Sequence, residues 1–135
     1  MPFVQWKPGF SVGDPAIDEQ HSGLLDIINR MHQVMLAGGK STEIQSVLEE
    51  LMHYTLRHFA YEEEMLERCG YPELDEHKRK HLAMMIQLQE LREEAVHAGA
   101  TVPLKMMVFL QDWLAKHILG TDLRYSSYLA ARRVA

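Results

Sequence analysis

The sequence has little that would place the chain in a membrane or in an oxidising compartment. A single cysteine, Cys69, excludes an internal disulfide, and its expected role is to fill space near a helix end. The longest apolar runs, such as residues 106–110, are far shorter than the roughly 20 residues of a membrane span. No basic cluster followed by an apolar stretch opens the chain, so no secretion signal is predicted. We expect a cytoplasmic protein without a membrane span.

A basic surface is also missing. The 135 residues carry a formal net charge of -5, and the sequence pI is near 5.9. Nucleic-acid binding favours a basic surface because phosphates attract cations. The one basic run, residues 77–81, is expected to be a solvated helix face. Nucleic acid is therefore not an expected partner.

Strand signals are scarce, and apolar residues recur at intervals of three and four in four stretches separated by glycine and proline. We predict an all-α, up-down-up-down antiparallel four-helix bundle in a single domain. Residues 1–17 form an extended arm, 18–119 the bundle, and 120–135 a short C-terminal helix and tail. Asp18 is the expected N-cap of the first helix. The third helix is expected to be apolar at Leu82, Met85, Ile86, Leu88 and Leu91.

Eight histidines are the unusual feature of the composition, because imidazole is the commonest metal ligand. Two helical pairs have metal-ligand spacing: His58 with Glu62, and His77 with His81. Residues four apart lie one above the other on a helix, with Cβ atoms roughly 5 to 6 Å apart. Either pair alone is weak evidence for a metal, because such spacings occur by chance on many helices.

The predicted topology provides an independent test of these pairs. His21 lies near the start of the first helix and His117 at the end of the fourth, so an antiparallel bundle brings both to the end that holds the two pairs. The remaining histidines point elsewhere or lie too far along their helices, and they are expected to be surface or structural: His32, His53 and His97. The alternative is a helical protein whose histidines and acids are all of that kind.

An acidic residue follows His117 at a spacing that a continuous helix does not suit. Asp122 is five residues on, so an unbroken helix would point the two side chains about 140° apart. A helix break at Gly120 would let the backbone turn Asp122 back toward the site. An unbroken helix through residue 122 would count against this hypothesis.

Four segments together resemble the hemerythrin family, specifically its single-domain bacterial members. They are Asp18-Glu-Gln-His21, His58-Phe-Ala-Tyr-Glu62-Glu63, residues 70–81 ending in His77-Lys-Arg-Lys-His81, and His117-Ile-Leu-Gly-Thr-Asp122. The resemblance covers nearly the whole chain. It implies two non-heme iron ions joined by an oxo or hydroxo bridge, with O2 as ligand. The metal ligands that it implies are His21, His58, Glu62, His77, His81, His117 and Asp122.

The resemblance also implies how these ligands divide. His77, His81 and His117 hold one iron, the other two histidines hold the second, and both carboxylates bridge the pair. The second iron then keeps an open position, and O2 would bind there. The same residue types could hold manganese, zinc or cobalt, because imidazole and carboxylate discriminate poorly among divalent metals. Iron is implied by the resemblance alone.

An apolar O2 pocket is expected beside the irons, and its candidate lining residues are Phe59, Trp113 and Ile118. Ordinary core packing is an equal alternative for each of them. Glu63, Glu64 and Glu67 are expected to form a solvated helix face. The implied function is reversible O2 binding for transport, storage or delivery, without enzymatic activity. Two alternatives stay open: an O2 or redox sensor acting through a protein partner, and a di-iron enzyme acting on peroxide or nitric oxide.

Overall fold

A computed structural model describes residues 6, 8–38, 41–97, 108–112, 117, 124–126 and 128–129. They form a short 3-10 helix, Pro8–Phe10, and three long helices, α1 Pro15–Leu36, α2 Ser41–Arg68 and α3 Leu74–His97. Residues 108–112 and 124–126 are also helical. The described part of the chain contains no strand, and none of its helices is long and apolar enough to cross a membrane. The all-α prediction is confirmed.

Helix α1 begins earlier than the sequence analysis predicted. Asp14 is its N-cap, with extended backbone and a side chain that accepts from the backbone N–H groups of Ala16 and Ile17. Pro15 follows as the first helical residue, where its fixed φ and missing N–H are favourable. The prediction that Asp18 is the cap, with the arm reaching residue 17, is therefore wrong. Asp18 instead accepts hydrogen bonds from the Ser11 hydroxyl and the Val12 N–H.

The turn between α2 and α3 places the start of α3 beside the end of α2. Gly70 has a φ of 68°, which a side chain would disfavour, and its N–H donates to the Glu67 carbonyl. The Tyr71 N–H donates to the Leu66 carbonyl, which completes a Schellman motif. The chain therefore reverses within a few residues, and α3 begins at Leu74.

Two contacts give the relative direction of α1 and α2. Gln20, early in α1, is hydrogen-bonded to His58, late in α2. Arg30, further along α1, is paired with Glu50, early in α2. Because the contact moves backward along α2 as it moves forward along α1, the two helices are antiparallel.

Helices α2 and α3 are antiparallel for the same reason. His81, early in α3, contacts Glu63, late in α2, whereas Arg92 near the end of α3 is paired with Glu49 near the start of α2. These directions agree with the predicted up-down connectivity, and the prediction of a helical bundle is confirmed.

The buried apolar side chains of the described residues form two clusters. The larger one, here called the apolar core, fills the bundle away from the α2–α3 turn. Its buried members are Leu24, Leu25, Ile27, Ile28, Met31, Ile44, Leu48, Leu51, Phe59, Leu88, Leu91, Ala95 and Leu110. The smaller one, here called the end cluster, lies near the turn. Its buried members are Val12, Ile17, Met65, Leu66, Tyr71, Tyr125 and Leu129.

The buried face of α3 differs from the predicted one at two positions. Leu82 and Ile86 are 62% and 48% exposed, whereas Leu88 is fully buried. At 3.6 residues per turn, Leu88 lies within about 20° of His81 around the helix, while Leu82 is turned by about 100° and Ile86 by about 140°. The inward face of α3 is thus the one that carries His77 and His81. The prediction that Leu82 and Ile86 also lie on the apolar, buried face is wrong, because both face solvent.

Candidate metal centre

Six of the described polar residues form a layer between the apolar core and the end cluster. On α1 the order along the inward face is Ile17 of the end cluster, then His21, then Leu24 of the apolar core. None of the six is more than 3% exposed. This polar layer consists of His21, His58, Glu62, His77, His81 and His117.

Glu62 is the centre of the polar layer. One carboxylate oxygen lies 2.9 Å from Nε2 of His81 and also contacts Nε2 of His77. The other oxygen lies 3.4 Å from Nε2 of His58 and 3.9 Å from Nε2 of His21. Glu62 therefore presents one oxygen to the α3 histidines and the other to histidines of α1 and α2, as a carboxylate bridging two metal ions must.

The layer divides into two groups of potential ligands that share Glu62. His21, His58, Glu62 and His117 form one, and Glu62, His77 and His81 form the other, with ligand atoms within 4.8 Å of one another in each group. Buried polar clusters of this density are held by hydrogen bonds or by metals. A donor set of imidazole and carboxylate suits iron and other first-row divalent metals. The residues fit a pair of metal ions.

His117 adjoins both groups. Its ring centroid lies 5.3 Å from that of His81, 5.7 Å from that of His58 and 5.8 Å from that of His21. The resemblance assigned His117 to the iron of His77 and His81, whereas its ligand atoms group with those of His21 and His58. The assignment of His117 to one iron stays a prediction.

The structure thus brings together six of the seven predicted metal ligands. The seventh, Asp122, lies outside the described residues, and so do Gly120, at which the helix was expected to break, and the pocket candidates Trp113 and Ile118.

Two of the three remaining histidines can be placed, and both lie outside the polar layer. His53 has a side chain 73% exposed and an ion pair with Glu49 at 3.8 Å. His32 is half-buried on α1. The side chain of His97 lies outside the described residues. The spacing of histidines along each helix therefore correctly distinguished His21 from His32 on α1 and His58 from His53 on α2.

A comparison with known protein families agrees with this geometry. Residues 12–129 match the hemerythrin HHE cation-binding domain. The chain belongs to the hemerythrin family. The polar layer lies within the matched segment, and the hemerythrin fold therefore includes every residue of the candidate centre.

Individual hemerythrins are similar to this chain over nearly all of its length. The bacteriohemerythrin of Stenotrophomonas maltophilia is 31% identical over 131 residues, 97% of this chain and 84% of that protein. That of Methylococcus capsulatus is 33% identical over 133 residues, 97% of this chain and 100% of that protein. A crystal structure of wild-type hemerythrin superposes with a TM-score of 0.83 at 28% identity, covering 93% of this chain and 96% of the other.

Residues outside the predicted ligand set hold the hemerythrin polar layer in place. The Nδ1–H of His58 donates to the Gln20 side-chain oxygen at 2.7 Å, and Tyr125 donates its O–H to Glu62 at 2.9 Å. A hydrogen bond at Nδ1 fixes the tautomer and leaves Nε2 of His58 as the ligand atom. Sequence reasoning missed both residues. Gln20 had one signal, its position next to His21, whereas Tyr125 had none.

Phe59 packs directly on the centre. Its ring stacks on His81 with centroids 3.6 Å apart and planes at 4°, and it lies 5.2 Å from His117. Phe59 is 3% exposed and belongs to the apolar core. It therefore covers one ring face of His81. Its role in an O2 pocket stays a prediction.

Among the described residues, two surface cavities of several hundred Å³ reach ligand histidines from outside. One of about 300 Å³ lies between α1 and α2, lined by Gln20, Tyr54, Arg57, His58 and Tyr61. Burial, with a smaller contribution from the charge of Glu19, raises the pKa of Tyr54 above its usual value. The second, of about 330 Å³, lies between α2 and α3 and has Phe59, Leu82 and His81 among its lining residues.

Proposed function

We propose that this chain binds O2 reversibly at a pair of non-heme iron ions, as an oxygen carrier, store or delivery protein, and that it is not an enzyme. The observation that carries the proposal is the donor set, five imidazoles around one shared carboxylate, in a chain of the hemerythrin family. Histidines of the polar layer and Glu62 would hold the irons, with Asp122 as the further expected ligand.

The composition of the ligand set supports binding over oxidation. Carboxylate-rich di-iron bundles supply four acidic residues and two histidines, and that anionic set offsets the charge of highly oxidised iron. The described residues here supply Glu62 and five histidines, a less anionic set. When bound, a ferrous pair would supply the electrons that O2 takes up and later returns.

The chain's own residues support reversibility by burying the ligand side chains and fixing their orientation. The apolar core and the end cluster lie on either side of the polar layer, and Phe59 covers His81. Limiting the access of water to such a site would suppress side reactions that oxidise a bound metal irreversibly. Gln20 and Tyr125 hold His58 and Glu62 in orientation without occupying a ligand position.

The test is cyclic oxygenation of the iron-loaded protein. The full chain is loaded anaerobically with ferrous iron, exposed to air, and returned to vacuum while the visible charge-transfer band is recorded. We expect a band that appears and disappears over repeated cycles. One-way bleaching, or steady O2 consumption when a reductant is present, would contradict the proposal and indicate an enzyme.

A pair of variants on the same helix provides the control. His58→Ala removes a side chain of the polar layer and should abolish the band. His53→Ala removes an exposed histidine five residues earlier and should leave the band unchanged. A band that survives in the His58 variant would exclude this residue from the centre.

A further inference from the structure

The sequence analysis assigned Glu63 to a solvated helix face, and the structure shows that this is wrong. Glu63 follows Glu62 on α2, and only 27% of its side chain is exposed. Its carboxylate accepts a hydrogen bond from Nδ1–H of His81 at 3.0 Å. Glu63 therefore contacts the polar layer from outside, through the ring of one of its histidines.

Both nitrogens of His81 face a carboxylate. Nε2 lies 2.9 Å from Glu62 in the polar layer, and Nδ1 lies 3.0 Å from Glu63. An acceptor at Nδ1 keeps the proton there and directs the Nε2 lone pair toward the metal position. Phe59 stacked on the ring face restricts rotation of the ring plane. Glu63 and Phe59 together fix the position of His81.

The partner of His58 is chemically different. His58 donates from Nδ1 to Gln20, whose amide oxygen is neutral, whereas His81 donates to a carboxylate. An anionic acceptor polarises the N–H bond more strongly, and this makes the imidazole a stronger electron donor at its other nitrogen. His58 and His81, one from each group of ligands, therefore donate from Nδ1 to outer partners of unequal charge.

We propose that Glu63 is a positioning residue that, through His81, strengthens metal binding and lowers the reduction potential of the iron held by His81. The proposal rests on the proposed function in one respect, namely that the metal is iron. A more strongly donating imidazole stabilises ferric over ferrous iron, so the His81 side of the pair is the one more easily oxidised.

The test compares charge-neutral substitutions at adjacent positions in the iron-loaded full chain. Glu63→Gln keeps the size and the acceptor oxygen but removes the charge, while Glu64→Gln makes the same change at an exposed neighbouring residue. For Glu63→Gln we expect a higher reduction potential and ferrous binding weakened by about 10- to 100-fold in competition with a chelator. For Glu64→Gln both quantities should equal those of the wild type.

A reciprocal variant separates tuning from a merely structural role. Gln20→Glu places a carboxylate behind His58 and should lower the reduction potential, the opposite of the Glu63→Gln effect. Circular dichroism and thermal unfolding of the metal-free proteins should be alike for the wild type and all three variants, because none of the changes removes apolar core. A simple packing role for Glu63 would not produce potential shifts of opposite sign.

The proposal is overturned if Glu63→Gln matches Glu64→Gln in both potential and iron affinity. Its failure is distinguishable from failure of the O2-binding proposal. If the wild type shows no reversible oxygenation while Glu63→Gln still shifts the potential, only the O2-binding proposal fails. If the wild type oxygenates reversibly and the two variants agree, only the assignment of Glu63 fails. A wild type that binds no iron would overturn both.

Discussion

The apolar core and the polar layer are equally buried but are held together by different forces. Leu24 and Leu88 are fully buried, and so are His21 and Glu62 in the neighbouring layer. The core is stabilised because its apolar surface is removed from water. The polar side chains lose their hydrogen bonds to water on burial, and they replace them only by contacts with one another or with a metal. Stability and metal binding therefore depend on successive segments of the same helix faces.

Of the substitutions considered, removing the shared carboxylate of Glu62 should reduce metal binding by the polar layer the most. Glu62→Ala deletes the group that contacts both sets of histidines, so we expect loss of two-iron binding, a larger effect than the roughly 10- to 100-fold weakening caused by losing an outer partner. Iron content after equilibration with a weak chelator measures it. Helicity should be retained because the apolar core is untouched.

Truncating the apolar core should have the converse result. Leu88→Ala removes a fully buried side chain and should lower the free energy of unfolding of the metal-free protein by about 2–5 kcal/mol. Denaturant unfolding measures the change, and iron stoichiometry should be unaltered. Leu82→Ala, at a 62% exposed position on the same helix, is the control and should stay within about 0.5 kcal/mol of the wild type. Equal losses in both variants would contradict the observed inward face of α3.

The hydrogen bond from Tyr125 joins the end cluster to the polar layer. Tyr125→Phe keeps the ring but leaves Glu62 without this donor, and both side chains are fully buried. We expect a loss of about 1–3 kcal/mol in the free energy of unfolding of the metal-free protein, because a buried acceptor loses a hydrogen-bond donor. Chemical denaturation tests this, and an unchanged stability would show that the bond contributes nothing. Tyr61→Phe, at a 36% exposed position, is the control.

The smallest expected effect is on the free energy of unfolding at high pH, through Tyr71 of the end cluster. Burial, followed by the hydrogen bond to Glu73 and its charge, raises the pKa of Tyr71 from 10.0 to about 12. The folded state therefore keeps a proton that the unfolded state loses, so the stability that Tyr71 contributes is complete below pH 10 and is lost as pH rises toward 12. Tyr71→Phe should show a shallower decline of the unfolding free energy across that range. Identical slopes would contradict the raised pKa.

Much of the fold could be predicted because the helices are strongly patterned and glycine or proline marks the links. The exact start of α1 could not, since Asp14 and Asp18 are both good caps and the choice depends on Asp18 being used by Ser11 and Val12. The exposure of Leu82 could not be predicted either. Apolar residues on a solvent-facing surface follow the same spacing as those in a core.

The ligand histidines were predictable because two helical pairs and an antiparallel topology place them at one end of the bundle. Their outer partners were not, because Gln20 and Glu63 act across helix interfaces and their contacts depend on side-chain direction. The sequence around Glu63 indicated a solvated helix face. Its contact with His81 depends on where α3 packs, which the sequence alone does not show. The cytoplasmic location and the absence of enzymatic activity stay predictions.

We propose that side chains from separate helices converge on a pair of iron ions. Anaerobic titration of the metal-free chain with ferrous iron, with bound iron counted per polypeptide, is the decisive measurement. We expect saturation at two irons per chain and loss of both sites in Glu62→Ala. Saturation at one iron, or no binding at all, would contradict it.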